Sequence, residues 1–135
     1  MKNIIYILSF FLFTSISFAQ TKSYQLSSHI LDISTGTAAP DVSITLHKMN
    51  KDKSWTIVST HKTDKNGRVT DFLPYAKMDN DGIYKLTFET YPYFEKKKVD
   101  SFYPFVEVVF SIKGQEHFHV PITISPFGYS TYRGN

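Results

Sequence analysis

Apolar and polar residues alternate along this chain in short runs. Tyr24 to Asp32 (YQLSSHILD) is the first, with Leu26, Ser28 and Ile30 on one face and Ser27, His29 and Leu31 on the other, the period of two expected of a strand. Val42 to Lys48 repeats the pattern with Val42, Ile44 and Leu46 inward and Ser43, Thr45 and His47 outward. Trp55 to His61 is β-branched and predicts a third strand, with an inward face the pattern leaves open. Val69 to Leu73 is short enough for an edge strand. Ile83 to Glu89 groups Tyr84, Leu86 and Phe88, and Val106 to Ile112 groups its four even-numbered apolar residues. His117 to Ser125 follows, with Phe118, Val120, Ile122 and Ile124 inward, and Tyr129 to Arg133 predicts the last strand.

The intervals carry turn chemistry. Ser34 to Asp41 holds a Gly and a Pro, Met49 to Lys53 is a charged hairpin connection, and Asp64 to Arg68 contains an Asn-Gly pair, two residues that tolerate positive φ. Only Thr90 to Lys98 lacks strand alternation. There Tyr91, Phe94 and Lys98 suit a short helix, with Thr90 as its cap and Pro92 in its first turn. Seven or eight short strands with one helix predict an antiparallel β-sandwich.

The N-terminus stands apart from that pattern. Lys2 is followed by an uncharged apolar run from Ile4 to Phe13, and Ser17-Phe18-Ala19 places small residues before Gln20. Residues 1–19 therefore read as a secretory signal peptide cleaved after Ala19, leaving 20–135 as one domain. No later stretch could span a membrane, so no membrane association is expected after cleavage. The Met-Lys-Asn-Ile-Ile start and the Ser-Phe-Ala-Gln junction suit bacterial export, and the periplasm is the expected destination.

Composition narrows the chemistry. The chain has 15 basic and 12 acidic residues, and loss of Lys2 leaves 14 against 12, a net +2. There is no arginine cluster or basic stripe of the kind that binds nucleic acid, and Lys96-Lys97-Lys98 reads as a solvated face. With no Cys, thiol catalysis and thiolate metal sites are excluded. Twelve Phe and nine Tyr suit a pleated surface.

Period two puts His117 and His119 on one outward face, and His29 lies on the polar face of its own strand. Imidazoles titrate near neutral pH and can take a proton from water. With Arg68, Tyr132 and Arg133 they would suit a planar, oxygen-rich, anionic substrate, because guanidinium groups offer forked donors to carbonyl and enolate oxygens. The same His-x-His pair could instead begin a zinc site with His29 or His47, or be plain surface. From the residues alone the reading stops at an exported sandwich with a polar His/Arg/Tyr face.

Several blocks resemble one family in order. Ser27 to Asp32 (SSHILD) is similar to its L-[ST]-x-H-V-L-D strand, and Thr63 to Arg68 (TDKNGR) to its T-x-x-x-G-R turn. Tyr84 to Thr90 with Tyr93-Phe94, Phe102-Tyr103-Pro104 and His117 to Pro121 (HFHVP) match further blocks. Ser125 to Gly134 resembles its closing S-P-[FY]-G-Y-S-T-Y-R-G. The family is 5-hydroxyisourate hydrolase, the transthyretin-like enzymes of urate breakdown. The resemblance runs from about Tyr24 to the last residues.

The resemblance implies a transthyretin-like sandwich of two four-stranded sheets, with a short helix after the fifth strand. It implies a homotetramer with active sites in a channel between dimers, and a small-molecule substrate, 5-hydroxyisourate, with no cofactor or metal. Catalytic roles carry over to His29, Arg68 and His119, and substrate binding to His29, Arg68, Tyr132 and Arg133, with Gly134 in the closing motif. In that scheme the two histidines deprotonate water for attack on the C6 carbonyl, Arg68 stabilises the oxyanion, and Tyr132 and Arg133 hold the rest of the ring. Asn135 departs from the family's terminal Ser. A non-catalytic carrier on the same fold, a structural or adhesion module, and a hydrolase of another cyclic ureide are the competing readings.

Overall fold

The computed structural model describes residues 24–76 and 79–135, so the expected leader lies outside the described residues. Ten strands and one helix follow in the order β1 (Tyr24–Asp32), β2 (Thr37–Ala38), β3 (Ser43–Met49), β4 (Trp55–Lys62), β5 (Arg68–Pro74), β6 (Gly82–Phe88), α1 (Thr90–Lys96), β7 (Val106–Ile112), β8 (Phe118–His119), β9 (Ile122–Ser125) and β10 (Gly128–Thr131). They form two sheets. One has the order β4-β3-β6-β7, antiparallel throughout, with a bulge on the β3–β4 pair between Leu46 and His47.

The other sheet is organised on β1. β5 and β2 pair antiparallel along one edge of it, β8 and β9 pair parallel along the opposite edge, and β10 continues antiparallel from β9. Six strands thus occupy four lanes, where four strands were expected. The extra two have simple causes. His117 to Ser125 alternates without a break, but the ladder to β1 is interrupted after His119, where the Val120 carbonyl accepts from the Ser28 hydroxyl at 2.7 Å, and it resumes at Ile122. The turn after β1 contributes the two-residue β2, held by the Ala39 N–H donating to the Ile30 carbonyl at 3.1 Å. The parallel pairs make this sheet mixed rather than antiparallel.

The core lies between the sheets as one apolar cluster. Leu26 and Ile30 of β1, Ile122 and Ile124 of β9, Ile44 and Leu46 of β3, and Leu86 and Phe88 of β6 are at most 1% exposed. Full burial of each such side chain contributes about 1.5–3 kcal/mol. The faces expected from alternation are therefore the faces observed on these strands.

The helix is anchored by buried Phe94 and has Pro92 in its first turn. The expected cap is not Thr90: Glu89 occupies the cap position without a side-chain bond, and Thr90 is buried as the first helical residue. A buried carboxylate ties this helix to β1. Asp32 is 0% exposed and accepts hydrogen bonds from the Ser34 N–H at 2.9 Å, the Tyr93 hydroxyl at 2.9 Å and Lys97 Nζ at 3.0 Å. Burial alone would raise its pKa, but the bonds from Ser34, Lys97 and Tyr93 outweigh it and bring it down to about 2.

A depressed carboxylate pKa stabilises the fold above its unfolded value, and that stability is lost as pH falls from about 4 toward 2. Asp32→Asn is expected to cost about 2 kcal/mol at neutral pH and to flatten the acid dependence in that window. Urea unfolding of both proteins between neutral pH and pH 3 checks this; parallel pH profiles would refute it.

Candidate active site

The turn before β5 sets the first two residues of the site. Asp64 Oδ1 accepts the N–H groups of Asn66 and Arg68 at 2.8 and 2.9 Å, and the Gly67 N–H donates to the Asp64 carbonyl at 2.9 Å. Only Gly67 takes a positive φ, +69°, and the expected second one at Asn66 is not used. Glycine is also required for space, since a Cβ at position 67 would lie 2.6 Å from the Ile30 carbonyl oxygen. With the Ile30 N–H donating to the Gly67 carbonyl at 2.9 Å, the turn is clipped to β1 and Arg68 becomes the register partner of His29.

On the opposite edge of β1, His119 is the register partner of Ser27. His119 Nδ1 lies 2.8 Å from Ser27 Oγ, and His117 Nε2 lies 2.9 Å from the same oxygen. His117 Nδ1 is 3.1 Å from the Tyr24 carbonyl. Ser27 and His29 share the outward face of β1, so Arg68, His29 and His119 converge across three adjacent lanes.

Burial and then the charge of Arg68 lower the pKa of both His29 and His119, with His29 and His117 adding to the effect at His119. At His29 a hydrogen bond with the Asn66 backbone and the charge of Asp64 pull the other way. Both imidazoles are thus neutral at pH 7, ready to accept a proton, and the adjacent guanidinium is placed to meet developing negative charge.

The closing residues reach His119 from the other side. Gly134 forms an isolated bridge with His119, its N–H donating to the His119 carbonyl at 2.9 Å. A groove of about 270 Å³ runs between β7 and this end, lined by Val109, Phe110, Phe118, His119, Tyr132 and Arg133 among others. His29 and Arg68 do not line it, so His119 is where the groove and the His/Arg cluster meet. Arg133 is paired with Glu116 at 2.8 Å, and its guanidinium lies 5.4 Å from the Phe118 ring centre. Tyr132 is 61% exposed.

Ser27 and Glu116 carry bonds to these residues although the pattern gives them no role, and His117, singled out there with His119, bonds the same Ser27 oxygen. Ser27 could have been found from its place beside His29 on the period-two face. Glu116 lies in a turn and leaves no such signal. His47 sits in β3 of the other sheet, which removes it as a zinc partner for His119. Among the described residues no group of three or more His, Asp or Glu side chains is arranged to hold a metal ion.

The two-sheet sandwich with one short helix is of the transthyretin class. The crystal structure of transthyretin from Sparus aurata aligns with a TM-score of 0.75 at 28% identity, covering 82% of this chain and 96% of that one. The structure of Klebsiella pneumoniae 5-hydroxyisourate hydrolase gives 0.70 at 38% identity, covering 82% and 97%. The 5-hydroxyisourate hydrolase of Salmonella typhimurium is 47% identical over 111 residues, 82% of this chain and 80% of its own length. The HIUase/Transthyretin family model matches residues 26–134, and the chain belongs to that family.

Proposed function

We propose that this protein is a hydrolase that opens the six-membered ring of 5-hydroxyisourate in urate degradation, giving 2-oxo-4-hydroxy-4-carboxy-5-ureidoimidazoline. The observation that carries the reading is the convergence of His29, Arg68 and His119 on one outward face, in a chain 47% identical to a named 5-hydroxyisourate hydrolase.

In the proposed mechanism His29 and His119 hold a water and take its proton as oxygen bonds to the C6 carbonyl carbon. The carbonyl oxygen becomes an oxyanion beside Arg68, where a fixed positive charge helps most. The ring C–N bond at that carbon then breaks, and the proton returns from imidazole to the departing nitrogen. Tyr132 and Arg133, on the groove that leads to His119, hold the remainder of the ring. The chemistry proposed uses the chain's own side chains and water, with no cofactor or metal.

The exposed face and the exposure of Tyr132 support a homotetramer in which sites are completed at a dimer–dimer interface. Residues 1–19 support export to a bacterial periplasm, and 20–135 form the mature domain. Both belong to the same proposal.

The test uses freshly generated 5-hydroxyisourate, whose ultraviolet absorbance decays spontaneously. Decay accelerated in proportion to protein concentration is expected, with a native mass four times that of the chain. Decay at the spontaneous rate would sink the hydrolase reading and favour a carrier.

A further inference from the structure

We propose that Ser27 and His117 are positioning residues that set the tautomer of His119, so that its Nε2 presents a lone pair to water. The inference rests on the reading of His119 as a base and adds which nitrogen acts and why.

The argument starts from one backbone carbonyl. The Tyr24 oxygen can only accept, so His117 Nδ1, 3.1 Å away, must carry a proton and donate it. A neutral imidazole has one N–H, so His117 Nε2 is then bare and accepts from Ser27 Oγ at 2.9 Å. The Ser27 hydroxyl has a single proton, and this bond uses it. At 2.8 Å from His119 Nδ1 the same oxygen can then only accept, which requires the proton of His119 to be on Nδ1. His119 Nε2 is left unprotonated.

Ser27 is 8% exposed, so water does not readily replace either partner. Each group in the chain Tyr24 carbonyl, His117, Ser27, His119 has one role left to it, and the direction is set at the carbonyl end. Histidine bases commonly owe their tautomer to the bond on the far nitrogen, and here that bond is made by a serine itself oriented by a second histidine.

This geometry makes an uncommon prediction about substitutions. Ser27→Ala frees His119 to sample both tautomers, and kcat is expected to fall on the order of 10-fold with little change in KM. Ser27→Thr keeps the hydroxyl and restores activity. His117→Phe should be worse than Ser27→Ala, because the Ser27 proton, deprived of its acceptor, turns to His119 Nδ1 and places the His119 proton on Nε2. Adding Ser27→Ala to His117→Phe should then recover activity to the Ser27→Ala level.

The direct readout is nitrogen-15 NMR of the imidazole nitrogens in the full protein at neutral pH. His119 is expected protonated on Nδ1 and bare on Nε2; a proton on Nε2 would overturn the proposal. A double variant no better than His117→Phe, with native circular dichroism in both, would also overturn it. The NMR result does not depend on turnover, so absence of hydrolysis would remove the hydrolase reading while leaving the tautomer assignment to stand or fall by itself.

Discussion

His119→Ala is expected to lower turnover of 5-hydroxyisourate by about 10²-fold or more. The side chain sits on the two-residue β8, where neighbouring Phe118 and Val120 supply the core contacts and the imidazole faces outward. Its removal leaves the apolar cluster intact, so the unfolding midpoint should move little while the rate collapses. The parent enzyme should also keep its activity below pH 6.5, since burial and Arg68 both hold the His119 pKa down and the neutral base persists to lower pH. The acid limb of kcat/KM reports this. Near-normal hydrolysis by the variant would remove His119 from the role of base.

Gly134→Ala should do comparable damage, by about 10²-fold, without removing any group that reacts. An added Cβ would collide with His119 Cδ2 and lie 3.1 Å from its Cγ, so the imidazole or the closing backbone has to move. Either the ring turns out of its bond to Ser27 or the closing residues lift, carrying Tyr132 and Arg133 with them. The bridge is a single peripheral hydrogen bond, worth about 1 kcal/mol, so thermal stability should be nearly unchanged. Kinetics and thermal unfolding of the purified variant separate the two effects. Full activity would show that the imidazole does not need its present position.

The two variants also mark where sequence reading ends. The strands were legible because alternation is a local signal, and the core faces of β1, β3, β6 and β9 follow from it. The break after His119 was not, because alternation continues through it while the bond from the Ser28 hydroxyl to the Val120 carbonyl is made by the partner strand. Parallel pairing of β1 with β8 and β9 is set by residues as far as 92 apart in sequence, such as Ser27 and His119. No window of local pattern contains it.

The outward placement of His29 and His119 came from period two, the grouping with Arg68 from the chemistry of the side chains, and their catalytic roles from family resemblance. The turn that delivers Arg68 was legible as Asn-Gly, but its dependence on Gly67 alone follows from the approach of the Ile30 carbonyl. Gly134 could be read as part of a closing motif. That it is a glycine to make room for an imidazole is a fact of distance, and so is the pairing of Arg133 with Glu116.

Nearly every side chain of β1 is already committed. Gln25 is buried and donates to the Gly114 carbonyl while accepting from Asn80. Leu26 and Ile30 belong to the core, and Ser28 donates to the Val120 carbonyl at 2.7 Å. Ser27 and His29 belong to the site, and Asp32 to the helix anchor. A strand whose two faces and two edges are all engaged has little room for neutral drift. Sequence variation in this protein should collect instead on β4, where Ile57 is 65% and Val58 41% exposed, leaving β1 as the slowest-changing segment of its history.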